Sequence, residues 1–142
     1  MVDALNRARR WLKASSGRII DLRPAHVVPL VELGLSNGSI APVGGLVVDD
    51  ERHQRHLAAD LAVLTVMRLG TLTMTADQEF SFYRYSDSAD ELRDYIATKW
   101  QHTHLDAATH ARICQMMDAS PGARLWLREQ VKIRILLPAA RL

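Results

Sequence analysis

The chain has 142 residues, 48% hydrophobic and 24% charged, with 18 Lys and Arg against 16 Asp and Glu. It is too apolar for a disordered chain and too short for two typical domains, so a single domain over residues 1–142 is expected. One cysteine, Cys114, excludes an internal disulfide framework and points to a reducing, cytoplasmic compartment. The most apolar run, Leu57 to Met67, is about half of the ~20 residues that a bilayer span needs and contains Asp60, so no membrane partner is expected.

Near the amino terminus, Asp3 and the basic Arg7, Arg9 and Arg10 have no apolar stretch behind them, which argues against a secretory signal. The spacing of Ala4, Leu5, Ala8, Trp11 and Leu12 predicts a helix from Asp3 to Ala14, ended by Ser15, Ser16 and Gly17. Arg18 to Arg23 reads as a short strand stopped by Pro24, and Val27 to Leu33 as a second strand interrupted by Pro29. The turn Ser36-Asn37-Gly38 tolerates positive φ and returns the chain toward a strand at Val43 to Val48. After Asp49-Asp50-Glu51, a helix runs to Leu69 and is closed by Gly70; its central part, Leu57 to Met67, is apolar nearly all round and is expected to be covered on more than one side.

Glu79 to Tyr85 is an aromatic strand. Ser88 and Glu91 read as a capping box ahead of a helix whose Leu92, Tyr95, Ile96 and Trp100 share a face. Asp106 caps a further helix to Asp118, with Ile113, Met116 and Met117 inward and Pro121-Gly122 as its breaker. From Leu125 to Leu137 the odd positions are apolar except Glu129, while Arg124, Arg128, Lys132 and Arg134 fall on even ones, so one buried and one basic strand face are expected, with a bend or bulge near Glu129. The resulting class is α/β, with about five strands and about four helices and an antiparallel closing segment.

Ala4 to Leu22, a helix followed by Gly17-Arg18-Ile19-Ile20-Asp21-Leu22, resembles the helix ending in leucine-lysine-proline-glycine-glycine and the fifth strand after it in a class I S-adenosylmethionine-dependent methyltransferase, with Ala14-Ser15-Ser16-Gly17 in place of the family's proline and glycines. Phe80 to Tyr85 and Leu125 to Leu137 resemble its sixth and seventh strands, the hairpin that ends the sheet. The resemblance implies a partial Rossmann-like methyltransferase sheet, equivalent to the carboxy-terminal half of the family, with Val27 to Asp50 as an elaboration. It places no residue of the S-adenosylmethionine site in this chain; the cofactor would be bound only if a partner supplied the other half. The strand at Arg18 to Arg23 would then expose the edge where a fourth strand belongs, to be covered by the hairpin from Val27 to Val48 or by a second copy. The implied roles are a non-catalytic assembly module, a homo-oligomer, or one part of a split methyltransferase with a complementary half as partner.

A rival reading is a small intact enzyme or ligand-binding protein. By the resemblance Asp21, followed by Arg23 and His26, falls at the end of a strand that borders the family's substrate cleft, and open α/β sheets bind ligands at such strand ends, although an Asp-Arg pair there is more often structural. His53 and His56, with Asp49 and Asp50, suggest a metal site, which Arg52 and Arg55 would oppose and which the helix dipole makes unnecessary for the acids. Val43-Gly44-Gly45-Leu46 is a weak glycine-rich candidate for contacting a ligand, inside an apparent strand and without a following helix start. His102, His104 and His110 straddle a helix turn, and Cys114 is expected in the core beside Ile113 and Met117. A nucleic-acid accessory role on the basic strand face is a third reading, disfavoured because the acidic residues nearly balance the charge and Trp126 alone supplies an aromatic there.

Overall fold

The computed structural model describes residues 1–12 and 17–139. Lys13 to Ser16 lie outside the described residues, and with them the predicted end of the first helix and the segment standing where the family has proline and glycines. Among the described residues the chain is α/β, with four helices and a mostly antiparallel five-stranded sheet, plus a two-stranded ribbon. They gather into two compact units, Met1–His26 with Gln54–Phe80 and Val131–Leu142, and Val27–His53 with Ser81–Gln130.

The first unit contains helix α1 (Val2–Arg10), strand β1 (Ile19–Pro24), most of helix α2 (Asp50–Arg68), the opening of strand β5 (Leu72–Ser86) and the close of strand β7 (Arg124–Pro138). β1 lies antiparallel to β7, with Ile19 opposite Leu136 and Pro24 opposite Val131. β5 also pairs with β7. Thr75 reaches Ile135, Asp77 reaches Arg134 and Glu79 reaches Lys132, so β5 ascends as β7 descends. β1 and β5 are therefore parallel to each other, with β7 reversed between them and α2 on the connection. The core is Val63, Val66, Leu72 and Leu136, against which Val2, Leu5, Ile19, Met67 and Met74 pack. Burial of these side chains from water is the main force holding α2 to the sheet. Trp11, expected on the inward face of a helix reaching Ala14, is 88% exposed, because α1 ends at Arg10 with Trp11 as its C-cap and only Val2 and Leu5 reach the core.

The second unit holds β2 (Leu30–Gly34), β3 (Ile40–Gly45), β4 (Val47–Val48), α3 (Ala89–Lys99), β6 (Thr103–His104) and α4 (Ala107–Asp118). β2 pairs antiparallel with β3 and with the opening of β7, Leu30 lying opposite Arg128 and Gly34 opposite Arg124. Gly38, at φ 83°, makes the turn between β2 and β3, helped by Asn37 Oδ1, which accepts from the Ser39 amide at 2.9 Å. α3 and α4 cover a core of Val31, Leu33, Leu92, Ile96, Ile113, Leu125 and Leu127. Ser88 accepts from the Glu91 amide at 3.1 Å, and Asp106 accepts from the Thr109 amide at 2.8 Å, so both expected caps form. The Glu91 carboxylate reaches the Asp87 amide, one residue earlier than in the standard capping box.

Several expectations change. The predicted strand at Val27 to Leu33 begins only at Leu30, because Pro29 has no N–H to donate to a ladder, although its carbonyl accepts from the Leu46 amide. The strand at Val43 to Val48 divides into β3 and β4 around the buried Leu46. The aromatic strand is longer than its aromatic stretch, starting at Leu72. β7 runs without a register shift in its described pairings; the irregularity lies in the β2–β3 ladder, where Val43 of β3 is skipped opposite Val31 and Glu32. Nor does one face of β7 stay buried throughout. Leu125 and Leu127 are buried in the second unit, but in the first the even positions Arg134 and Leu136 are buried while Val131, Ile133 and Ile135 are only half-buried.

Candidate functional site

Residues two apart on a strand share a face, so Asp21 and Arg23 of β1 point the same way. Their register partners on β7 are Arg134 and Lys132. Asp60, the charge inside the otherwise apolar run of α2, meets them there. Arg134 Nη1 donates to Asp60 Oδ1 at 2.6 Å and Arg23 Nη2 donates to the same oxygen at 2.7 Å. Arg23 Nε donates to Asp21 Oδ2 at 3.1 Å, Arg23 Nη1 to the His56 carbonyl at 3.3 Å, and Arg134 Nε to Asp77 Oδ2 at 3.3 Å. Burial pushes the Asp60 carboxyl up, but the Arg134 hydrogen bond and the charges of Arg23, Arg134 and Lys132 outweigh it and leave it below its ordinary value. For Arg134, burial works against the charged form, and its bond to Asp60 with the charges of Asp60 and Asp77 more than restores it.

Asp21 and Arg23 are thus brought together, and each nitrogen of the Arg23 guanidinium is already engaged within the protein. The arrangement joins one helix to three strands. His26, the third member of the sequence-based cleft, has its ring centroid 6.5 Å from that of His56.

His53 and His56 stand three residues apart on α2, and Asp50 and Glu51 occupy its first turn, where carboxylates favour the helix dipole. Asp49 and Glu51 instead stand 3.8 and 3.4 Å from His102 Nδ1. Among the described residues no group of three or more His, Cys, Asp or Glu side chains comes together as a metal site. Gly44 and Gly45 lie in β3, and a Cβ at Gly44 would stand 3.2 Å from Thr109 Cγ2, so close packing against α4 accounts for that glycine.

The basic positions of β7 are largely neutralised within each unit. Arg128 pairs with the buried Glu32 at 2.9 Å, and Lys132 with Glu79 at 3.2 Å. Glu129, the acid on the apolar face, bonds Arg52 at 3.0 Å, and the same guanidinium lies 4.9 Å from the Trp100 ring centre. Burial holds the Glu129 carboxyl above its ordinary value despite Arg52. Trp126 lies against Gly34, with Tyr83 and Tyr85 meeting it edge-on. An open depression of about 310 Å³ is lined by Tyr85, Ser86, Asp87, Ala123 and Arg124, the last of them a member of the basic face expected on the final strand.

Cys114 is exposed, not in the core as expected. Ile113 and Met117, four apart, turn inward together, and at ~100° per residue the next position rotates Cys114 away from them. It shares a stripe with His110 instead. His110 Nδ1 stands 4.0 Å from Cys114 Sγ, and His110 Nε2 stands 2.9 Å from Asp90 Oδ1 on α3. The His-Cys spacing of four was legible in the sequence; the contribution of Asp90, twenty residues away from His110, was not. No protein-family profile matches this chain, and no curated protein or solved structure matches it either.

Proposed function

We propose that this chain is a methyltransferase-like assembly module, without an S-adenosylmethionine site of its own, that completes its sheet with a partner: a second copy or a complementary methyltransferase half. The observation that carries the reading is the state of β1. Among the described residues its strand partner is β7, and the hairpin of β2 and β3 pairs with β7 and not with β1. The version in which that hairpin covers the β1 edge is therefore set aside. On the outward face of β1, Ile20 and Leu22 are 59% and 58% exposed, beside the half-buried Ile133 and Ile135 opposite them. Unpaired edges and contiguous apolar surface of this kind are sites of association. The pairing of β7 with both β1 and β5 also agrees with the resemblance, in which the final hairpin adjoins the fifth strand.

The enzyme or ligand-binding alternative draws less support, because the donors of Arg23 are consumed by Asp21, Asp60 and the His56 carbonyl. Light scattering and calorimetry test the proposal together. Self-association, or co-elution with a separately expressed amino-terminal methyltransferase half, is expected, and it should be lost in the double variant Ile20→Glu, Leu22→Glu. The isolated chain should bind no S-adenosylmethionine. A monodisperse monomer that ignores such a half, or a lone chain that binds the cofactor, overturns the reading.

A further inference from the structure

We infer that Cys114, His110 and Asp90 form a base-assisted thiol site that exchanges with small disulfides, a property independent of the assembly role. The argument rests on three features of one surface. Cys114 is exposed and is the chain's single cysteine. His110 lies one helical turn before it on α4, with Nδ1 facing the sulfur at 4.0 Å. The far nitrogen, Nε2, stands 2.9 Å from Asp90 Oδ1, which also holds Arg93 at 2.9 Å. A carboxylate accepts from an N–H, so Asp90 selects the tautomer protonated at Nε2 and leaves the Nδ1 lone pair toward the thiol. This is the order nucleophile, base, orienting carboxylate by which weak nucleophiles are activated. Ile113, fully buried, fixes the rotation of α4 and thereby the side on which both residues stand.

The step balances without a further reagent. The Sγ–H proton moves to His110 Nδ1, and Sγ attacks one sulfur of the disulfide. A new S–S bond forms as the old one breaks, and the departing thiolate takes the proton from His110. Cys114 is oxidised and one half of the small disulfide is reduced. His110 acts on the thiol; Asp90 is a positioning residue. The charged groups that contact the pair are Asp90 and, through it, Arg93.

Glutathione disulfide is the probe, and the mixed disulfide is read by mass on intact protein, with the urea-unfolded chain as the reference thiol. The native chain is expected to react about tenfold faster at neutral pH than the unfolded one, and His110→Gln to remove most of that advantage, a modest share of what general-base assistance can supply. Asp90→Asn should lower the rate less and shift the pH profile toward that of the unfolded thiol. Equal rates and superimposable pH profiles for native and unfolded chains would overturn the proposal, as would a His110→Gln variant that folds normally and reacts like the wild type.

Discussion

Arg134 of β7 donates to Asp60 of α2 at 2.6 Å, fixing the apolar middle of that helix to one position on its sheet. Apolar packing is tolerant of sliding, whereas a carboxylate oxygen shared by two arginines is not. Replacing Asp60 by Asn removes the charge that Arg134 and Arg23 both use. The expected cost is about 1–3 kcal/mol, discounted for the partial exposure of the group. Urea unfolding followed by circular dichroism measures it, and an unchanged midpoint would contradict the clamp.

Two carboxylates give opposite pH dependences. The Asp60 carboxyl sits below its ordinary value of 3.8, so its contribution is full above that pH and is lost as pH falls through the lower folded value. Glu129 is held above its ordinary 4.5, so the fold favours its protonated form, and that contribution is present below 4.5 and lost as pH rises through the higher folded value. Asp60→Asn should flatten the stability profile on the acid side. Glu129→Gln should make the variant gain relative to wild type between about pH 4.5 and neutrality, seen in urea midpoints measured at each pH.

Gly34 and Gly38 separate space from backbone conformation. A Cβ at Gly34 would lie 2.5 Å from Trp126 Cζ2, so Gly34→Ala must displace the indole; a cost of about 1–3 kcal/mol and a shift in tryptophan emission are expected. Gly38 has open space around it but φ of 83°, and Gly38→Ala should cost about 1 kcal/mol with the emission unchanged. Equal emission spectra for the two variants would show that the indole does not rest on Gly34.

The cap of α3 is testable at a single oxygen. Ser88→Ala removes the acceptor of the Glu91 amide and should cost about 1 kcal/mol in thermal or urea unfolding, while Ser88→Asp should retain most of the stability. By contrast, Ile113→Ala opens a void in a fully buried site and should cost about 2–5 kcal/mol, enough to loosen α4 and, with it, the His110-Cys114 pair. Hydrogen exchange on α4 amides reports that loosening.

Elements whose signals are local were legible in the amino-acid order. Helical spacing with Ser88, Asp106, Gly70 and Gly122 at the ends gave α2, α3 and α4 close to their observed bounds, since caps and breakers act within one turn. The α/β class and the long final strand were legible for the same reason. Tertiary structure alone decided which partner strand each half of β7 takes, and so which of its faces is buried in each unit. A period of two marks that a face is buried without saying by what. The candidate site followed the same division. Asp21 and Arg23 were visible as a pair, but Asp60, Asp77 and Arg134 come from three other elements, and their meeting turns two apparent cleft residues into part of a structural clamp. Cys114 was misplaced because one residue of rotation on a helix separates a buried neighbour from an exposed one. The orientation of His110 depends on Asp90, which only the packing of α3 against α4 brings near.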